Sequence, residues 1–173
     1  TLLPSTTTRI GLVSFASESV MRNELTNNAA NLKTKVNALA AGGGTFTQAG
    51  VKQAEAMLAN SVADHKHIVL LSDGEPTYSY EIPNDTTRQA RYYLDGNSYY
   101  TGTGYSAGAY GTSRVGAGNS MYQFIEWYNN RHAYYHHGNS AIAEAGFAKN
   151  SGYKVWTIAL EAGTTGTGIL NSM

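Results

Sequence analysis

Residues 67–72, His-Ile-Val-Leu-Leu-Ser, form an apolar run without polar alternation that stops at Asp73-Gly74-Glu75-Pro76. A continuous run of this length, closed by Gly and Pro, predicts a central parallel strand covered on both faces. Parallel neighbours need long crossovers, usually helical, so this segment points to an α/β sheet rather than a sandwich or a bundle. The flanking chain agrees. Residues 9–15 (RIGLVSF) predict a largely buried strand, residues 20–25 a short returning edge strand, and residues 153–160 (YKVWTIAL) a late strand. Leu32, Val36 and Leu39 fall at i, i+4 and i+7 on a helix that begins near Asn28 and ends at Gly42-Gly43-Gly44. Val51, Ala54 and Leu58 predict the inner face of a second helix capped by Thr47, and a third helix spans residues 139–150, stopped by Gly152. Strands alternating with helices predict a doubly wound, mostly parallel sheet flanked by helices.

Residues 76–138 break this rhythm, because most connections in compact domains run to roughly four to six residues and this one is an order of magnitude longer. Of the 13 Tyr, 12 lie between residues 78 and 135, a stretch without Lys, so this part follows a different composition from the framework. It is expected to be an arm inserted within a single domain that spans residues 1–173. Within it, Ser120-Met121-Tyr122-Gln123 has the form of a capping box and predicts a short helix with Met121, Phe124, Ile125 and Tyr128 inward.

Composition excludes several functions. Charged residues make up 14% of the chain and the formal net charge is zero, so no basic excess exists for binding nucleic acid. The absence of Cys rules out disulfides and thiolate chemistry. No stretch approaches the roughly 20 apolar residues that span a bilayer, so no membrane insertion of this segment is expected.

Ligands of open α/β sheets bind at the carboxyl ends of the strands, and Asp73 sits at such an end. A carboxylate there, braced by a rigid strand, suits a hard cation or a hydroxyl-bearing ligand, although Asp-Gly is also an ordinary turn. Gly42-Gly43-Gly44-Thr45 lets the backbone approach an ion closely and offers a neutral hydroxyl oxygen. It is not a nucleotide-phosphate loop, since no Gly-Lys-Ser/Thr follows. His132 and His136 would be i and i+4 on a helix, but no Glu follows His132 to serve as a general base, which favours hydrogen-bonded or solvated rings. There is no Gly-x-Ser-x-Gly elbow.

Taken in order, residues 9–15, Gly43-Gly44-Thr45-Phe46-Thr47-Gln48-Ala49-Gly50-Val51, residues 68–75 and residues 155–160 resemble the von Willebrand factor type A domain. The placement of the insertion is similar to that in tip adhesins of Gram-positive surface pili. The resemblance implies a metal-ion-dependent adhesion site with Thr45 and Asp73 as metal ligands for Mg²⁺, or Mn²⁺ or Ca²⁺. The family's site also uses an Asp-x-Ser-x-Ser motif on an earlier strand, which this sequence lacks. Ser17-Glu18-Ser19 follows a different strand and has no Asp. The chain is therefore expected to begin after the family's first strand and helix, either as a fragment of a longer protein whose missing part completes the sheet or as an incomplete type A domain with a defective site, and its own Mg²⁺ binding is expected to be weak.

The resemblance further implies a non-enzymatic adhesion module, extracellular, cell-wall anchored or at a pilus tip. Its partners would be the rest of a parent pilus or surface protein and a host extracellular-matrix protein or surface glycan. Glu75 would frame the ion. Tyr78, Tyr80, Tyr99, Tyr100, Tyr105 and Tyr110 would supply contact area, since Tyr gives rigid surface and a polar tip at low entropy cost, or else pack the arm's own core. The alternatives are a type A scaffold in an intracellular assembly, as in chelatases, and a metal hydrolase built on the His cluster.

Overall fold

The computed structural model describes residues 3, 7–82, 91–95, 98–100, 110–128 and 131–173. Strands β1 (Ile10–Phe15) and β2 (Ser19–Thr26) form an antiparallel hairpin, followed by helices α1 (Ala29–Asn37) and α2 (Thr47–Ala59). Strand β3 (His67–Ser72) pairs in parallel with β10 (Lys154–Ala159), His67 opposite Lys154 and Ser72 opposite Ala159. Helix α3 (His137–Asn150) precedes β10, and α4 (Gly163–Ser172) follows it. The expected α/β class holds, with a parallel pair as its centre.

Local chemistry explains most boundaries. Asn28 caps α1, its side chain accepting the Asn31 N–H at 3.0 Å. The helix ends at Asn37, short of the glycines, and only Leu32 of its expected inner face is buried, Val36 and Leu39 being exposed. Helix α2 starts where predicted, but Phe46 is its N-cap without a side-chain hydrogen bond, and Thr47 lies inside the helix with a buried hydroxyl. Helix α3 is capped by His136, whose Nδ1 accepts the Asn139 N–H at 3.0 Å.

Helix α2 packs on β1, β2, β3 and α3, while α3 packs on β10 and α4. The core between them gathers Val51, Ile68, Leu70, Ala141, Ala145, Ala148, Ile169 and Leu170. The expectation that β3 is covered on both faces is corrected here, because its burial alternates. Ile68, Leu70 and Ser72 point inward, whereas Val69 (56% exposed) and Leu71 (50%) point outward beside Trp156 (55%) on β10. All the described helices that pack on β3 and β10 lie on the inward side, so the outer apolar row has no cover among the described residues. Strands β1 and β3 both lie against α2, yet they belong to separate two-stranded sheets.

The inserted segment leaves the framework at β4 (Ser79–Tyr80), which pairs with β7 (Arg114–Val115). Beyond this stalk, β5 (Arg91–Asp95), β6 (Ser98–Tyr100), β8 (Tyr122–Tyr128) and β9 (Arg131–His136) form an antiparallel sheet in the order β6-β5-β9-β8. The helix predicted from Ser120 is therefore a strand. The β8–β9 pairing runs from Tyr122 opposite His136 to Tyr128 opposite Arg131, and such pairing overrides a local capping pattern in a segment rich in aromatic residues. His132 and His136 lie on β9, the partner of that strand, and not on a helix.

Candidate functional site

Two loops meet at the carboxyl end of β3. The Thr45 N–H donates to the Thr77 hydroxyl at 2.7 Å, and the Thr77 N–H donates back to the Thr45 carbonyl at 2.8 Å. This reciprocal pair fastens the glycine loop to the loop that carries Asp73. The Thr45 hydroxyl consequently sits beside Gly74, 3.6 Å from where a Cβ at that residue would lie. Asp73 is exposed and Thr45 half-buried, and neither side chain has a hydrogen-bond or ion-pair partner among the described residues.

Glycine is required in this loop for two reasons. Gly43 has φ of +82°, the left-handed region that L side chains rarely adopt. A Cβ on Gly44 would come within 2.5 Å of the Tyr78 ring and 2.6 Å of the Thr77 hydroxyl, so close approach of the loops excludes any side chain. The Asp73 loop is held by its own strand as well, the Ser72 hydroxyl lying 3.4 Å from the Gly74 N–H as its acceptor.

The remaining predicted residues divide by position. Glu75 is half-buried next to the fully buried Pro76. Tyr78 (9% exposed) packs with Phe46 and Ala49, and Tyr110 (8%) lies edge-on to Phe147, so these two rings serve the framework rather than an open contact surface. Tyr80 is half-buried, with Phe46 at 4.8 Å between centroids and the Lys52 ammonium 4.7 Å from its ring. Tyr99 and Tyr100 lie on β6 at the edge of the four-stranded sheet. Tyr105 lies outside the described residues.

Several neighbours of the rim have roles that the sequence reading did not assign. The Ser17 hydroxyl accepts the Gly44 N–H at 3.2 Å, so the lookalike Ser17-Glu18-Ser19 turn buttresses the glycine loop. Arg114 donates to the Ser17 carbonyl and stacks its guanidinium 4.5 Å from the Tyr78 ring centroid. An open cleft of about 400 Å³ follows, lined by Glu18, Phe46, Tyr80, Thr112 and Arg114 among others. Behind the Asp73 loop, Gly166 of α4 approaches the Gly74 carbonyl carbon, at 3.5 Å from a Cβ built on Gly166. No local signal marks Arg114 or Gly166, and the Ser17-Glu18-Ser19 pattern does not reveal its contact with Gly44, since long-range packing brings these residues to the rim.

The histidines of the cluster are structural where they are described. His136 caps α3, and His137 Nδ1 shares a 2.8 Å hydrogen bond with the Ser79 hydroxyl. Burial pushes both rings down to about 4, so they are neutral at ordinary pH. Each Nδ1 is already engaged, and no group of three or more His, Asp or Glu that could hold a metal ion gathers among the described residues.

A family model of the von Willebrand factor type A domain matches residues 3–164. The chain belongs to the von Willebrand factor type A family. The minor fimbrium subunit Mfa5 of Porphyromonas gingivalis is 30% identical to it over 196 aligned positions, covering 90% of this chain. The chain spans only 16% of that relative's length. The crystal structure of the vWF domain of this type V pili tip protein matches at a TM-score of 0.81 and 28% identity, over 99% of this chain and 71% of that one. The pilus adhesin SpaC from Lactobacillus rhamnosus GG matches at 0.63 and 28% identity, over 89% of this chain and 19% of that one. The type A family and the likeness to pilus tip proteins thus agree with the α/β architecture.

Proposed function

We propose that this domain is a non-enzymatic adhesion module of an extracellular pilus or surface protein, with a divalent-cation site at Thr45 and Asp73. The observation that carries this reading is a pair of oxygen-bearing side chains, Asp73 at the end of β3 and Thr45 in the facing glycine loop, that have no partner among the described residues and whose loops are joined by the reciprocal Thr45–Thr77 hydrogen bonds. A carboxylate and a hydroxyl fit a hard cation such as Mg²⁺, Mn²⁺ or Ca²⁺. When bound, the cation would supply positive charge toward an acidic oxygen of the ligand. Asp73 provides the neutralising carboxylate and Thr45 a neutral oxygen, while Gly43 and Gly44 let the backbone come close. The inserted segment leaves the framework at β4, two residues after Thr77, so its root adjoins the rim. The ligand class is a host extracellular-matrix protein or a surface glycan, and the likeness to pilus tip proteins supports both the location and a larger parent protein.

The test is retention of beads coated with the domain on immobilised collagen, fibronectin and a panel of glycans, in Mg²⁺ and in EDTA. Retention in Mg²⁺ that is lost in EDTA and in Asp73→Ala supports the reading. Retention unchanged by EDTA places the function in the inserted segment alone, and no retention on any surface overturns adhesion to this ligand class.

A further inference from the structure

Away from the rim, the seam between α2 and α3 buries a set of polar side chains that metal binding does not use. Gln48 on α2 is 0% exposed and Glu144 on α3 is 4% exposed. Gln48 Nε2 donates to Glu144 Oε2 at 3.0 Å, and Gln48 Oε1 accepts the Tyr80 N–H at 2.8 Å. One amide therefore runs from the helix seam to the outgoing root of the inserted segment. Glu55, about two turns further along α2, brings its carboxyl close enough to that of Glu144 for the two to share a hydrogen bond when one is protonated. Two carboxyl groups in such contact need a proton between them.

The returning root meets the same seam. Tyr110 hydrogen-bonds to Ser140 and lies 6.3 Å from the Phe147 ring. Ser140, Glu144 and Phe147 follow at i, i+4 and i+7, on one face of α3. The two roots are also joined to each other, Glu81 N–H donating to the Ser113 carbonyl and Gly111 N–H to the Glu81 carbonyl, both at 2.9 Å.

We propose that Gln48, Glu55 and Glu144 form a proton-sharing clasp that fixes both roots of the inserted segment on the α2–α3 seam, with Gln48 and Glu144 as positioning residues for the binding face. The Glu55 carboxyl donates its proton to the Glu144 carboxylate, which also accepts the Gln48 amide. Loss of that proton to solvent through half-buried Glu55 sets two negative charges against each other and disturbs the amide that holds Tyr80. Burial first, and then the charge of Glu144, push Glu55 up to about 7, which puts this loss near neutral pH. The other groups facing the pair are Lys52, which favours the ionised carboxylates, and the phenols of Tyr80 and Tyr110, both pushed up by burial and by Glu144 and so neutral. The importance of the clasp for adhesion rests on the proposed function, but the clasp itself can be read without metal or ligand.

The experiment is amide hydrogen exchange by NMR on the whole chain, corrected for intrinsic rates, together with a titration of the Glu side-chain carboxyl carbons. Protection of the Tyr80 amide is expected to fall about tenfold between pH 6 and 8 in the wild type, the effect of one shifted pKa unit. Glu55→Gln keeps that protection flat over the same range, and Glu144→Ala loses it at every pH. Ile68 in β3 serves as the internal control and stays unchanged. Carboxyl carbons of Glu55 and Glu144 that both titrate near 4.5, or a Glu55→Gln profile equal to the wild type, overturn the clasp. The carboxyl titration needs only the wild type and decides the matter should the variants not fold. Failed bead retention with these readouts intact overturns the adhesion reading and leaves the clasp standing.

Discussion

His137 Nδ1 lies 2.8 Å from the Ser79 hydroxyl, and both side chains are fully buried where the inserted segment leaves the framework and α3 begins. The hydrogen bond ties the first residue of the helix to the first residue of β4. Its second ring nitrogen, Nε2, has no partner among the described residues. Ser79→Ala would leave both ring nitrogens unpaired, so a loss of about 1–3 kcal/mol is expected in urea unfolding at pH 7.5.

The same ring sets an acid limit. His136 and His137 titrate near 4 in the folded protein and near 6.5 when unfolded, so the unfolded chain binds more protons between these values. Stability is therefore intact above pH 6.5 and lost as pH falls toward 4, by on the order of 3 kcal/mol for each ring if the shift is fully expressed. Unfolding free energies at pH 7.5, 6 and 5 should show a shallower acid decline in His137→Gln than in the wild type. Parallel declines would mean that His137 does not carry the effect.

Gly44 separates two loops by the width of a missing side chain. A methyl group there meets the Tyr78 ring, the Thr77 hydroxyl and the Gly118 Cα, all under 3 Å. Gly44→Ala must displace backbone at Gly118 or break the Thr45–Thr77 bonds, a change expected to cost about 1–3 kcal/mol. Gly42→Ala meets nothing within 4 Å and is the matched control. Thermal unfolding of the two variants should differ by several degrees, and equal melting temperatures would count against the loop contact.

Much of the framework could be read from local pattern, because β1, β2, α2, β3, α3 and β10 each carry a periodicity or a cap that acts within a few residues. Residues 120–128 could not, since Met121, Phe124, Ile125 and Tyr128 carry the i, i+3, i+4, i+7 spacing of a helix face, and pairing with the distant strand β9 overrode it. Helix α4 was missed for the opposite reason. Gly163, Gly166 and Gly168 give it low helix propensity, but Ile169, Leu170 and Met173 bury in the core and Gly166 fits against Gly74. At the rim, residue types marked Asp73 and Thr45, whereas Ser17 and Arg114 arrive through contacts 27 and 97 residues apart in sequence.

The face of β3 and β10 that the described residues leave uncovered gives a direct optical test. The Trp156 indole N–H donates to His67 Nδ1 at 3.1 Å, and the rings stack with planes 12° apart, but the indole remains more than half exposed. With Trp127→Phe to isolate its signal, Trp156 should be quenched by acrylamide nearly as readily as a free indole. In a longer polypeptide that covers this face, the same residue should be protected and its emission shifted to the blue. Strong protection in the 173-residue chain itself would contradict the exposed row, or would reveal association between copies, which light scattering distinguishes.

Metal affinity follows from the count of protein oxygens. Asp73 and Thr45 supply two, so near-octahedral Mg²⁺ would keep about four waters and bind weakly, on the order of millimolar. Calorimetry should show that Asp73→Ala abolishes this binding. Thr45→Ala should reduce it by less, because a neutral oxygen contributes less to holding a cation than a carboxylate does. A longer polypeptide that adds the family's Asp-x-Ser-x-Ser oxygens to the same rim should bind at least tenfold more tightly. Equal affinity with and without those oxygens would show that Asp73 and Thr45 hold the ion in a different way, and the rim would then have to be completed by residues of the chain itself.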